Sequence, residues 1–264
     1  MPHFIGCVAA IPIKNKDAYR QHTDSLAPYF KEIGTNYLLE YWENDIPDGK
    51  ITDFRRSVLA QAGEAIVFSL LEFPDKATAD SSYQKMAENE EVRRLETEMP
   101  FDGKRMIFGG FTPLTEAPTA LDAGYMDVSL LAVPFSNRDA YEQQARHAAR
   151  IFKEHGALQV AEAWGDSLPN GTLTDFFRAV QATEQENVAL SWVQWPSKKA
   201  RDEGWQKIWA DPRMEQIGAS SLYDHQRRVF GGFTPFTIPE RHSSISKIQH
   251  RFGPAGLYPD IQAG

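Results

Sequence analysis

Phe108-Gly109-Gly110-Phe111-Thr112-Pro113 returns 122 residues later as Phe230-Gly231-Gly232-Phe233-Thr234-Pro235. The same offset lays Asp17-Ala18-Tyr19 on Asp139-Ala140-Tyr141, Phe30-Lys31-Glu32 on Phe152-Lys153-Glu154 and Thr52-Asp53-Phe54 on Thr174-Asp175-Phe176. From His3 to Thr115 there is no gap, and 38 of 113 pairs are identical, so the chain is a duplication. A period this long is that of a domain, because solenoid units run only about 20–45 residues. The reading gives repeat one at residues 1–116, a linker at 117–124, repeat two at 125–239 and a tail at 240–264. Pro118, Thr119 and Gly124 break the pattern in the linker.

Each repeat reads as β-α-β-β-α-β. Residues 4–13 are an apolar run ending at Pro12, as in a strand. Ala18, Leu26, Ala27, Phe30 and Ile33 then recur at helical spacing, and Gly34 suits the position just past a helix end. A strand at 37–42, a Pro47-Asp48-Gly49 turn and a second extended segment at 51–60 follow. A strand at 65–73, a helix at 77–86 and a closing strand at 105–111 complete the unit, and repeat two copies it. This is the order of a ferredoxin-like unit of the α+β class, with two helices on one face of an antiparallel sheet. The strands are apolar on both sides, so the other face also needs cover. Two repeats packed sheet to sheet supply it and form a barrel-like core. The tail mixes loop-like stretches with isolated apolar residues such as Phe252 and Tyr258, and both docking and a loose terminus fit that pattern.

Composition narrows the function classes. Of 264 residues, 42% are hydrophobic and 24% charged, ordinary globular proportions that exclude disorder for most of the chain. A net charge of −8 argues against general nucleic-acid binding, which needs a basic face. A single cysteine, Cys7, permits no internal disulfide. The first residues lack the basic and apolar regions of a signal peptide, and no stretch has the length of a membrane span. The expectation is a soluble cytoplasmic protein with a small-molecule ligand and neither a nucleic-acid nor a membrane partner. Assembly into a homo-oligomer is left open. No HExxH, CxxC, phosphate-binding loop or G-x-S-x-G elbow occurs, and no cofactor or metal is expected. His147 and His155 lie about two helical turns apart, too far to share a metal unaided. Axial haem ligation by His147, His155 or His225 is neither supported nor excluded.

The segment Met99-Pro100-Phe101-Asp102-Gly103-Lys104-Arg105-Met106-Ile107-Phe108-Gly109-Gly110-Phe111 resembles the closing motif of the DUF1428 family of small, YbaA-like bacterial proteins. Lys153-Glu154-His155-Gly156-Ala157-Leu158, Thr174-Asp175-Phe176-Phe177-Arg178-Ala179-Val180 and Leu190-Ser191-Trp192 resemble its other segments. That family is similar to the dimeric α+β barrel superfamily, in which two ferredoxin-like units join their sheets. Each unit there can hold a pocket between helices and sheet. Members include cofactor-free oxygenases, lactone isomerases, dehydratases and haem enzymes. The resemblance implies that this chain is a fused, single-chain version of such a dimer.

The repeats have diverged unequally. Repeat two has Asp127 and His155 where repeat one has Ile5 and Ile33, and five of the six tryptophans fall in repeat two. The expectation places the main pocket there, with His155 as acid or base and Asp127 as its orienting partner. Trp164 and Trp192 would be the walls and Arg178 the holder of an anionic group. Glu162 alternates with Trp164 on one strand face, where burial would raise its pKa. Each residue also has a plainer role open to it: His155 as a helix-end cation, Asp127 and Glu162 as strand-end acids, the tryptophans as core and Arg178 as the partner of Asp175. Three functions follow. The first is a cofactor-independent enzyme of oxygenase, isomerase or lyase type acting on a small aromatic or apolar metabolite. The second is a non-catalytic binding or stress-response module, and the third a structural oligomerisation protein. An enzyme should bring His155 and Asp127 within hydrogen-bond reach in a pocket, a binding module should have the pocket without that pair, and a structural protein should have neither.

Overall fold

The structure is a computed structural model that describes residues 1–237; the tail expected at 240–264 lies outside them. Repeat one runs β1 (His3–Pro12), α1 (Lys16–Glu32), β2 (Tyr37–Asp45), α2 (Phe54–Ser57), β3 (Glu64–Phe73), α3 (Lys76–Glu88), α4 (Glu90–Thr97) and β4 (Ile107–Pro113). Repeat two follows with β5 (Tyr125–Pro134), α5 (Arg138–Glu154), β6 (Gln159–Ser167), α6 (Phe176–Ala179), β7 (Glu186–Trp195), α7 (Lys198–Ala210), α8 (Pro212–Gly218) and β8 (Val229–Pro235). No helix among the described residues is long and apolar enough to cross a membrane.

The extended segment expected at 51–60 is corrected to a single helical turn, α2. Its cause is local: the Asp53 carboxylate accepts from the Arg56 backbone N–H at 2.8 Å and caps the turn. Leu59 then takes a positive φ of 51° to leave it. Asp175 and Gln181 do the same around α6.

Eight antiparallel strands close into one barrel in the order β1-β3-β2-β8-β5-β7-β6-β4. The sheets meet edge to edge, β2 on β8 and β4 on β6, so among the described residues no strand edge is left open. Each seam carries a register shift, one beside Gly110 and one between Glu43 and Asp45. A Cβ on Gly232 would fall 2.2 Å from the Tyr125 hydroxyl, which is why the motif needs glycine there.

Alternation along the strands sorts two cores. Phe4, Val8 and Ala10 of β1 and Val188, Leu190 and Trp192 of β7 point into the barrel, where they join Phe54 and Phe176 from the short turns. The interior aromatics meet edge to face: Phe4 on Trp192 at 4.9 Å, Phe111 on Phe176 at 5.1 Å and Phe54 on Phe233 at 5.3 Å. The other strand face lies under the helices, and the ends of the repeats exchange there. Leu114, which follows β4, packs against Trp164 and Tyr141 of repeat two. Phe236, which follows β8, stacks on Trp42 of repeat one at 5.2 Å.

Candidate functional site

Under the helices of repeat two lies a cavity of about 580 Å³, floored by the outward face of β5 to β8 and roofed by α5, α7 and α8. Helix α8 opens it. In repeat one, α4 drives Val92 and Leu95 into buried positions. The matching Met214 and Ile217 of α8 line the cavity, and α8 buries none of its residues fully.

One end of the cavity is built on Asp127. Its carboxylate accepts the indole N–H of Trp195 at 3.0 Å, that of Trp205 at 2.8 Å and the Nε–H of Arg201 at 2.9 Å. Burial pushes its pKa up, opposed by Arg201 and the two indoles. Every oxygen is thus committed, and what the cluster does is fix the Trp205 ring as a wall.

The other end is built on Glu162. Tyr141, from α5, donates to Glu162 Oε2 at 2.6 Å. Burial raises the Glu162 carboxyl to about 7, opposed by hydrogen bonds from Tyr141 and Ser191 and by the charge of Arg228. Arg228 precedes β8 and donates from Nε to Ser129 Oγ at 2.6 Å, with its guanidinium 4.9 Å from the Phe230 ring. Phe152, Leu131 and Val193 complete an apolar lining.

Repeat one has the same acid without the space. Tyr19 donates to Glu40 at 2.6 Å, and burial again raises the carboxyl to about 7. There, however, Met106, Phe101 and Phe236 pack with Trp42 and Tyr19 and fill the interior. Met106 and Phe101 stand where repeat two has Arg228 and Tyr223.

The residues singled out from sequence are only partly brought together. Asp127 and Glu162 line the cavity. His155 does not pair with Asp127: it closes α5 and its Nε2 donates to Asp211 Oδ2 at 2.9 Å, fastening the junction of α7 and α8. The expected acid–base pair is therefore corrected, because α7 and its tryptophans lie over Asp127 while the helix end carries His155 toward Asp211; a cavity without that pair is what was expected of a binding module, so proton chemistry here has to come from another group. Trp164 shares the Glu162 face but sits in a neighbouring cluster with Leu131 and Leu222. Trp192, with the opposite parity on β7, is fully buried inside the barrel and walls nothing. Arg178 is half exposed on α6, bonded to Asp175 and to the Gly171 carbonyl, away from the cavity. Sequence reading passes over Arg228, Tyr141 and Ser129. For two of them the signal was present: at the 122-residue offset Arg228 replaces Met106 and Ser129 replaces Cys7. Among the described residues, no group of three His, Cys, Asp or Glu side chains is placed to hold a metal ion.

A family model described as "Protein of unknown function (DUF1428)" matches residues 3–103 and again 124–225. The "Uncharacterized protein YbaA" of Escherichia coli K12 is 45% identical over 116 residues, covering 44% of this chain and 99% of that protein. Among solved structures, a candidate monooxygenase from Lactobacillus acidophilus NCFM superposes with a TM-score of 0.57 at 10% identity, covering 91% of this chain and 96% of the other. Another, from Fusobacterium nucleatum, gives 0.56 at 8% identity over 91% and 94%. At these identities the likeness is one of fold.

Proposed function

The chain belongs to the DUF1428 family, and from that membership and its unequal halves we propose that repeat two is the working half: an enzyme site that moves a proton on a small aromatic or apolar metabolite. The fold reading that goes with it is two fused ferredoxin-like βαββαβ units, supported by the matching strand orders β4-β1-β3-β2 and β8-β5-β7-β6.

The observation that carries the proposal is Glu162. It is a carboxyl at about 7 that lines the cavity and is held by hydrogen bonds from Tyr141 and Ser191. A group with that pKa is divided between acid and base at neutral pH, the condition for both taking and returning a proton. Beside a carbonyl, Glu162 accepts the proton of a C–H bond. The electron pair left behind becomes an enolate, and the Arg228 guanidinium stabilises the oxyanion. Return of the proton to a different carbon is an isomerisation; departure of a leaving group is a lyase reaction. Tyr141 holds the Glu162 carboxyl in place, and the aromatic and aliphatic lining excludes water.

The test is exchange of methylene protons into D2O, read by NMR, on phenylacetone and phenylpyruvate as enolisable aromatic probes. Protein-dependent exchange that falls at least tenfold in Glu162→Gln, and is untouched by Glu40→Gln, supports the reading. Exchange that is absent for both probes, or insensitive to Glu162→Gln, overturns it.

A further inference from the structure

Arg227 and Arg228 are adjacent, yet they are committed differently. Arg227 forks onto Glu186 through two hydrogen bonds, at 2.8 and 2.7 Å, and touches Asp224 at 3.1 Å. Arg105, its counterpart in repeat one, holds Glu64 at 2.7 Å twice and Asp102 at 3.0 Å. That arginine is structural in both halves. Arg228 has no counterpart, since Met106 occupies the equivalent position. It uses only its Nε–H, on the Ser129 hydroxyl. Among the described residues neither Nη atom meets a carboxylate or any other acceptor. The chain has eight more acidic than basic side chains, so a partly buried guanidinium that feels Glu162 only at a distance and forms no ion pair with it stands out.

Leaving a guanidinium half desolvated and unpaired is unfavourable, and it persists where a ligand completes it. Two Nη groups in one plane match two oxygens in one plane. From this we infer that the repeat-two cavity binds a monocarboxylate with a flat apolar body, its carboxylate forked on Arg228 and its body against Trp205, Phe230 and Phe152. The inference rests on the proposed working site and names its ligand class. Charge selects a carboxylate over a phosphate ester. One free cation balances the one negative charge of a bound carboxylate, whereas a phosphate ester brings a second charge before any proton moves; an enolate formed beside the carboxylate shares the same guanidinium, its charge offset by the proton that neutralises Glu162. Shape favours a flat body, because Phe152, Trp205 and Phe230 present rings to the cavity among its aliphatic lining residues.

The experiment is titration calorimetry with benzoate, benzamide and phenylphosphonate on the full chain. Benzoate should bind the wild type at least tenfold more tightly than benzamide or phenylphosphonate. Arg228→Met installs the residue that repeat one carries there, and it should remove that preference. Arg228→Gln is the second variant, should the first not fold. Glu162→Gln should keep benzoate binding while abolishing proton exchange, which separates the ligand assignment from the catalytic one. Benzoate bound with no exchange activity would sink the catalytic reading alone. Equal affinity for benzoate and benzamide, equal benzoate affinity in wild type and Arg228 variants, or no benzoate binding at millimolar concentration would overturn the ligand assignment. Tighter phenylphosphonate would replace the carboxylate by a dianion and overturn it equally.

Discussion

Tyr141 and Glu162 are joined by a 2.6 Å hydrogen bond, and Tyr19 and Glu40 repeat it at 2.6 Å in the other half. The same pair is thus set once in a cavity and once in a filled interior, and each copy serves as a control for the other. Removing the Tyr141 hydroxyl with Tyr141→Phe takes away a hydrogen bond that lowers the Glu162 pKa. The acid limb of any proton-exchange profile should therefore move to higher pH, while Tyr19→Phe leaves it in place. A profile indifferent to Tyr141→Phe would remove Tyr141 from the site.

Glu40 makes stability depend on pH. Its folded pKa is about 7, above an ordinary value of 4.5, so its contribution is fully present below about 4.5 and is lost as pH rises through 7. The loss amounts to about 3 kcal/mol at most, because each tenfold change in an ionisation equilibrium is worth about 1.4 kcal/mol. Glu40→Gln carries no such charge. Its melting temperature should match the wild type near pH 5 and exceed it progressively toward pH 8. A constant difference across that range would mean that Glu40 does not titrate there.

Arg105 and Glu64 form a buried fork, and Arg105 holds the Glu64 carboxyl below its usual range. Arg105→Met leaves that carboxylate buried and unpaired, at an expected loss of about 3–5 kcal/mol of unfolding free energy. Denaturant unfolding at pH 7 measures it. Because the Glu64 pKa is lowered in the fold, the wild-type advantage is present at neutral pH and shrinks as acid protonates the group.

Asp127→Asn removes the charge that gathers two indoles and Arg201. About 2–4 kcal/mol of stability should go with it, since Arg201 keeps only its neighbour Asp202 and the more distant Asp45. Trp205 should also lose its fixed orientation. A red shift of tryptophan emission, with weaker benzoate binding, is the expected signature; an unchanged spectrum would show that the ring is held by packing alone.

Gly204 on α7 lies against Trp195, where an added Cβ would come within 2.4 Å of the ring. Gly204→Ala therefore forces helix and sheet apart, for about 1–3 kcal/mol in spite of the better helix former. A stability gain in thermal unfolding would contradict this close packing.

The duplication and the strand and helix periods were legible because each runs over many residues. The turns α2 and α6 were not, since four residues are shorter than any period and only the capping aspartates announce them. Of the residues singled out, Asp127 and Glu162 line the cavity, and their polarity within apolar strands is visible in the sequence. Sequence reading misjudged Trp192, whose neighbour Ser191 faces outward toward Glu162 while the indole turns into the barrel. It passed over Arg228, because adjacent arginines look alike until the backbone turns one toward Glu186 and the other toward Ser129. The pairing of His155 with Asp127 failed on a tertiary matter, the placement of Asp211 beside the helix end.

The seam between β2 and β8 sets Trp42 opposite Thr234. A ribosome adding 5–20 residues each second needs roughly 10–40 s to travel from one to the other. Through that interval the β2 edge has emerged without its partner, displaying the row of free backbone groups that invites pairing with another nascent chain. The opposite seam waits far less, since Gly110 meets Ser167. The ring therefore closes from one side and stays ajar on the other until its last strand is made. Val229–Pro235 is its keystone, and a polypeptide released before that point leaves the ribosome with an adhesive margin.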